Sequence, residues 1–586
     1  MRERRTGALT VQGIQERFPW IMLPLAAMGS LLTPQRWACG VDRAAASITG
    51  ALVFDTTRLA GFLIRCFGGV SRIRVPLLNK NAALKRLDWR IRKFFWGVLW
   101  TSAVISRLWP KKVPVPREEK KIRLISAPES YRDFQSPALL VPASLPCTEA
   151  SLLSNVLVQV THLLQDVFPI IAPPQAEASS DRRERLRQAF SWIYRMVRTP
   201  PHWHDDLVRA EAEKNLLGTL ATGGPFAKLL ERSDGTSGND PYVIDLRHMS
   251  RYPVREGLCR LGCRIHYAPE PGGLRVVSIE YEGETIYPSD PKWNITERIA
   301  LCSLVTHLTV WRHGMQYHVA GLAPIAPLTY SLPSHHPIRR LLAPHIAETA
   351  STNFHTHLTL RRSGFDVTGF SFSYDTILRY YDDGARNFNL SELDVRVSLT
   401  RRGIPESLDY SFGPQALGYY SLFGRYVREY VDHYYSDEQA LQRDPELQVW
   451  FDSIDSYLNN GLRTYLPDLT KANVVELCTL YIYAVTVEHE ENTLWDYAVF
   501  LPATVRQDGT GQSVGEVQSV LNFQLVIASA TNRLMRDFTH LALDSGAADI
   551  MRRFQSELRQ LQKEMETEPD RHWQVFPVDL EASVSA

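Results

Sequence analysis

Thr309-Val-Trp-Arg-His313-Gly-Met-Gln-Tyr-His318 places two histidines five positions apart. On a regular helix of about 3.6 residues per turn, side chains at this spacing diverge by about 140°. They can bind one metal ion only if the helix is locally widened, as in a π-bulge, and such bulges often occur at functional sites. The alternative is one hydrogen-bonded core histidine and one that faces solvent. With 17 histidines in 586 residues, the pair alone does not distinguish the two readings.

A third histidine and the end of the chain offer further ligands. His489 follows a strongly apolar run, and Thr493 lies four residues later on the same helical face. A zincin motif would need histidine in place of Thr493, so the segment does not indicate a metalloprotease. The tail Leu580-Glu-Ala-Ser-Val-Ser-Ala586 lacks the composition of a disordered end, and the Ala586 carboxylate is ionised at neutral pH. Three imidazoles and a carboxylate suit non-haem iron, although zinc or manganese accepts similar ligands.

Taken together, these residues resemble the iron site of the lipoxygenase family. The similarity extends over roughly residues 240–586 and includes His336-Pro-Ile-Arg-Arg-Leu-Leu-Ala-Pro-His345, which begins eighteen positions after His318. His489 also follows Thr479 by ten positions, as the third histidine of the family follows a matching threonine. Each motif is weak alone, and they are specific jointly.

The resemblance implies one iron site and no catalytic residue beyond it. Its ligands would be His313, His318, His489 and the terminal carboxylate of Ala586, with Thr493 as a weak further ligand. The family commonly has Asn, His or Ser where Thr493 stands. Because a threonine hydroxyl is a poor ligand, water is the alternative at that position. A rival placement of the third histidine motif at 518–523 lacks the histidine.

Several residues outside the proposed iron site also have expected roles. Arg361-Arg-Ser-Gly-Phe-Asp366 resembles the place where the family sets product stereochemistry with a small residue, which makes Ser363 or Gly364 the candidate. Arg339 and Arg340 are expected in structural ion pairs rather than on a substrate carboxylate. Three further histidines are expected to pack and hydrogen-bond rather than bind metal: His335, His336 and His345.

The activity that the resemblance implies is that of an oxidoreductase, a dioxygenase of lipid metabolism. Its substrates would be a polyunsaturated fatty acid and O2, its cofactor non-haem iron (Fe2+/Fe3+), and its product a lipid hydroperoxide. One alternative is an enzyme with the same iron site that isomerises or cleaves fatty-acid hydroperoxides, which the change at Thr493 permits. Another is a catalytically silent homologue that binds lipid.

The predicted fold is mainly α: a large lipoxygenase-like helical catalytic domain with a small antiparallel β-sheet and a helical N-terminal extension. Alternating apolar and polar residues between glycine turns predict the sheet over 241–288, and helical periodicity dominates from Trp293 onward. Residues 1–120 would form the extension and a Pro/Lys-rich linker, and residues 121–586 the catalytic domain. No strand-rich pattern typical of the β-sandwich of plant and animal lipoxygenases precedes the helical body.

Composition limits the partners. The net charge of +1 supplies no bulk attraction for nucleic acid. Seven scattered cysteines favour reduced thiols over a disulfide framework, and Cys259-x3-Cys263 has no second pair at zinc-site spacing. The apolar runs 20–32 and 94–105 are shorter than a membrane-spanning helix, so they predict packing helices or peripheral membrane contact. The expected location is cytoplasmic or peripheral to a membrane.

Overall fold

A computed structural model describes most of the chain from residue 215 onward. The described residues are 113, 115–116, 122–124, 140–142, 215–233, 241–319, 321–347, 349, 352–353, 370–408, 410–458, 460–489, 501–512, 533–567 and 575–584. The predicted N-terminal extension therefore lies almost wholly outside them, together with both of its apolar runs. Among the helices that are described, none combines the length and apolar character needed to cross a bilayer.

A five-stranded antiparallel sheet precedes the helical body, which confirms the prediction from the alternating pattern. Its strands pair in chain order: β3 (Glu231–Arg232), β4 (Tyr242–Asp245), β5 (Arg264–Glu270), β6 (Gly273–Tyr281) and β7 (Glu284–Ile286). Alternate residues such as Ile265 and Tyr267 are buried, because successive side chains of a strand point to opposite faces. Helix α1 (Leu216–Thr222) packs on β6. A separate antiparallel pair joins β1 (Ile122–Leu124) to β2 (Leu140–Pro142).

Helices make up most of the rest, as predicted. In chain order they are α2 (Trp293–Thr306), α3 (Ile325–Thr329), α4 (Pro337–Ile346), α5 (Tyr374–Asn387), α6 (Val395–Arg401), α7 (Phe412–Tyr434), α8 (Glu438–Gln442), α9 (Pro445–Tyr457), α10 (Lys471–Tyr483) and α11 (Ser545–Thr567). Short 3₁₀ turns cover Ala227–Leu229, Arg247–Arg251, Leu390–Leu393 and Thr539–Leu541. The long helix α7 packs against α10 and α11 through apolar faces that form much of the core.

The helix that contains the two opening histidines is widened, as their spacing predicts. Helix α2 runs without a break into a π-helical segment, πA, over His307–Val319. A second π-helical segment, πB (Ala484–Glu488), continues α10 and ends directly before His489. Only the first was predicted, because His489 has no second histidine at a revealing spacing.

Helix α5 holds segment πA from one side. The Tyr380 hydroxyl lies 2.6 Å from Nδ1 of His307 and 3.1 Å from Nε2 of His248, so it can donate to one imidazole and accept from the other. The Trp311 ring lies 5.0 Å from the Tyr380 ring. One residue further along α5, the Tyr381 side chain closely approaches Gly314, where an added Cβ would lie 2.3 Å from the hydroxyl oxygen. Gly314 therefore permits α5 to pack tightly beside the two histidines.

Replacing Gly314 should expose this constraint. Gly314→Ala is expected to lower the free energy of unfolding by about 1–3 kcal/mol, because the new methyl group overpacks the interface with Tyr381. Chemical denaturation would measure the change. The matched control is Gly418→Ala in α7, where the added Cβ meets nothing within 4 Å and a gain of about 0.5–1 kcal/mol is expected. Equal effects at the two positions would contradict the packing argument.

Candidate metal centre

Segments πA and πB bring three predicted ligands together, although His313 and His489 are far apart in the sequence. Nε2 of His318 lies 3.0 Å from Nε2 of His313 and 3.3 Å from Nε2 of His489. One nitrogen from each of the three rings falls within 4.8 Å of the other two. Within the part of the chain that the structure describes, these histidines form the one group of three or more metal-binding side chains.

The spacing of the nitrogens fits a shared ion. Two imidazole nitrogens bound at about 2.1 Å to one metal ion and at right angles to each other would be about 3.0 Å apart. His318 and His489 are buried, and His313 retains some solvent exposure. The three rings therefore suit a metal site with one side accessible to a small molecule.

Asn353 orients His318 from behind. Its buried Oδ1 lies 3.0 Å from Nδ1 of His318. Since an amide oxygen only accepts, Nδ1 carries the proton and the Nε2 lone pair faces the other two histidines. Such partners beyond the ligands commonly fix the ring orientation at metal centres. Asn353 was not among the predicted site residues, and the one signal for it in the sequence is an amide that follows the His345 motif.

Burial keeps the site neutral. Desolvation lowers the pKa of His318 to about 4, opposed by its bond to Asn353. Desolvation also lowers the pKa of His313 well below its usual range, assisted by His489, His318 and Lys228. Neutral imidazoles are the form that binds metal, so these histidines are ready to act as ligands at physiological pH.

Buried polar groups lie close to the three histidines. Nζ of Lys228 lies 3.8 Å from Oε1 of Glu488, and the exposed fractions of the two side chains are 6% and 9%. Desolvation raises the pKa of Glu488, while Lys228, Arg312 and a hydrogen bond from Tyr317 oppose the rise. The Tyr317 ring also packs edge-on against His489, with 5.6 Å between the ring centres. Sequence reasoning missed this cluster, because nothing local links Lys228 to residues 260 positions later.

The remaining predicted site residues lie outside the described part of the chain. These are Thr493, Ala586, Ser363 and Gly364, and so is the rejected motif at 518–523. The tail is described as far as Val584, and there it is well packed: Leu580, Ala582 and Val584 are fully buried. Nδ1 of His345 lies 2.7 Å from the Ala582 carbonyl oxygen and donates to it.

The other histidines and the two arginines of the second motif have structural contacts. His336 caps helix α4 and lies 3.1 Å from Oδ2 of Asp444, whereas His335 is exposed. Arg339 donates to the Leu332 carbonyl and its guanidinium lies over the Tyr330 ring. Arg340 donates to the Ser334 and Leu541 carbonyls, where we expected an ion pair. At Arg340, backbone carbonyl oxygens take the place of the expected carboxylate.

The described cysteines are free thiols. They are Cys259, Cys263, Cys302 and Cys478. Burial raises the pKa of Cys263 to about 12, far from the range of a metal-binding thiolate. Cys259-x3-Cys263 is thus no part of a metal cluster among the described residues.

Comparison with known proteins gives a consistent assignment. A family model described as Lipoxygenase matches residues 392–506. The rat (Rattus norvegicus) arachidonate 12-lipoxygenase, 12R-type, is 23% identical over 269 residues, which are 42% of this chain and 38% of the relative. The barley (Hordeum vulgare) linoleate 9S-lipoxygenase 1 is 26% identical over 438 residues, 65% of this chain and 48% of the relative. The matched regions thus span less than half of either relative.

The fold agrees with these matches. A coral 8R-lipoxygenase crystal structure superposes with a TM-score of 0.63 at 14% identity, over 80% of this chain and 79% of the coral chain. At that identity the likeness shows a shared fold. Family model, curated relatives and fold all support the lipoxygenase family for this chain. That family uses non-haem iron, and the three-histidine cluster is a possible site for it.

Asn353 offers a direct test of the geometry around His318. Asn353→Leu is expected to weaken Fe2+ binding by about 10–100-fold, because the ring loses the acceptor that fixes its tautomer. Anaerobic calorimetric titration of the metal-free protein would measure it. Asn353→Asp keeps an acceptor oxygen and should retain affinity within a few-fold. Equal losses in the two variants would show that volume, and not the hydrogen bond, matters at this position.

Stability should depend on pH through His345. Burial lowers its pKa from 6.5 to about 4, so between these values the unfolded chain binds more protons than the folded one. The contribution of neutral, buried His345 to the free energy of unfolding is fully present above pH 6.5 and is lost as the pH falls towards 4. Unfolding of metal-free protein at several pH values would show this decline, with a shallower slope in His345→Asn.

The control for this measurement is His335→Asn, at an exposed position. It should keep the wild-type slope, since this substitution removes no buried group. An unchanged slope in His345→Asn would mean that other groups cause the acid instability.

Proposed function

We propose that this protein is an iron-dependent dioxygenase that inserts O2 into polyunsaturated fatty acids and releases lipid hydroperoxides. The observation that supports it best is the convergence of three imidazoles, from two widened helices, at separations of 3.0 and 3.3 Å. Similarity to the lipoxygenase family supports the reaction class. The substrate, the product and the activity of the whole protein belong to the proposal.

The proposed ligands are His313, His318, His489 and the terminal carboxylate of Ala586, with Thr493 or water at a weak further position. When bound there, iron would supply the one-electron redox chemistry that O2 and a bis-allylic C–H bond require. The protein holds His313 and His318 neutral by burial and orients His318 through Asn353. With iron held by these ligands, the proposed reaction needs no separate general base.

The proposed substrates are apolar or uncharged where they react, which agrees with a site enclosed by apolar helices. Ser363 or Gly364 is proposed to govern the stereochemistry of oxygenation through the small size of its side chain. Peripheral membrane contact through the N-terminal apolar runs is proposed as the way a membrane-derived fatty acid reaches the enzyme.

Metal analysis and oxygen uptake test the proposal. Purified protein is expected to contain about one iron per chain and to consume O2 with linoleate or arachidonate. His489→Ala should lose iron and activity by at least about 100-fold, because one of three convergent nitrogens is removed. His335→Ala, at an exposed position, is the matched control and should behave as wild type.

The outcomes separate the alternatives. Iron without O2 uptake, combined with conversion of fatty-acid hydroperoxides, would favour an isomerase or lyase. A protein without iron or turnover would be a lipid-binding homologue. Retention of both iron and activity in His489→Ala would contradict the assignment of the site.

A further inference from the structure

Each of the three histidines directly follows a residue of one polar cluster, in which Tyr317 and Glu488 are buried and Arg312 is partly exposed and pairs with Glu392 at 3.2 Å. Arg312 precedes His313, Tyr317 precedes His318 and Glu488 precedes His489. The Tyr317 hydroxyl donates to the Glu488 carboxylate, and the positive charge of Arg312 acts on the same group. The polar layer therefore links segment πA to the end of segment πB close to the site.

Lys228 joins this layer from a different part of the fold. It belongs to the 3₁₀ turn Ala227–Leu229, which connects α1 to the first strand of the five-stranded sheet. Its ammonium group lies 3.8 Å from the Glu488 carboxylate, and both side chains are more than nine-tenths buried. Neither charge would be stable alone at such a depth, since an unpaired buried charge strongly destabilises a fold.

We propose that Lys228 and Glu488 are positioning residues for the metal centre. Their ion pair, with the hydrogen bond from Tyr317, holds the two histidine-bearing helices in register and ties them to the sheet. The inference rests on the proposed function, because it takes the three histidines to be metal ligands.

The peptide bond between Glu488 and His489 couples the ion pair directly to the position of the histidine. Consecutive Cα atoms are about 3.8 Å apart, so a shift of the Glu488 backbone is passed on to His489. Apolar packing tolerates small sliding, whereas the attraction between two opposite charges changes steeply with distance at a buried site of low dielectric constant. Shifts well below 1 Å in a nitrogen position matter here, because metal–nitrogen distances vary little.

A double-mutant cycle tests the pair. Lys228→Met leaves the Glu488 carboxylate buried without its cation, and Glu488→Gln does the reverse while keeping the acceptor for Tyr317. Each is expected to weaken Fe2+ binding about 10–100-fold in anaerobic calorimetric titration of metal-free protein. The double variant removes both charges and should recover at least about tenfold of the loss. Strictly additive losses would overturn the proposal.

A second readout separates positioning from general stability. The electron paramagnetic resonance spectrum of the oxidised, iron-loaded single variants should broaden, because the ligands adopt several arrangements. Lys228→Arg retains the cation and should restore both the spectrum and the affinity. If Lys228→Met does not fold, the isosteric Glu488→Gln and Lys228→Arg still decide the question.

Arg402 provides the matched control. It is buried and donates to the carbonyls of Ala227 and Leu230, so it anchors the turn of Lys228 without reaching Glu488. Arg402→Met should lower the melting temperature and leave the Fe2+ affinity within about threefold of wild type. An affinity loss as large as that of Lys228→Met would overturn the role of the ion pair.

The two proposals fail in different ways. Wild-type protein that takes up no iron would overturn the proposed function and this positioning role with it. Wild-type iron affinity in Lys228→Met, with iron bound normally by the parent chain, would overturn the positioning role alone.

Discussion

The five-residue spacing of His313 and His318 is the constraint on which the site depends. A regular helix cannot direct both imidazoles to one point, so the chain widens into segment πA over His307–Val319. A widened helix has weaker local support, and its neighbours provide the rest. Tyr380 binds the first residue of the segment, and Tyr381 packs against Gly314 between the two histidines.

Burial then determines the chemistry of the three rings. Desolvation lowers the pKa of His313 and His318, which leaves these imidazoles in the neutral form that can bind metal, and Asn353 selects the nitrogen of His318 that faces the site. The same burial makes nearby charges costly. Lys228 and Glu488 are tolerated close to the rings because they compensate each other, and this mutual dependence connects the sheet to the helices that contain the histidines.

Much of the fold was predictable from periodicity and glycine turns. The strands over residues 264–286 and the start of α2 at Trp293 follow the predicted pattern closely. The two-residue strand β3 was missed because so short a segment has no alternation to recognise. The ion pair expected for Arg340 was wrong, since its carbonyl acceptors belong to the backbone and have no signature in sequence.

The sequence by itself determined the local facts: which residues can bind metal, that His313 and His318 require a widened helix, and which family they resemble. The tertiary structure decided what depends on distant segments. His489 reaches His318 across 171 positions, Asn353 reaches the same ring across 35 positions, and Lys228 reaches Glu488 from the 3₁₀ turn before the sheet. Local periodicity encodes which face of a helix is apolar, but contacts between remote segments depend on how those faces pack together.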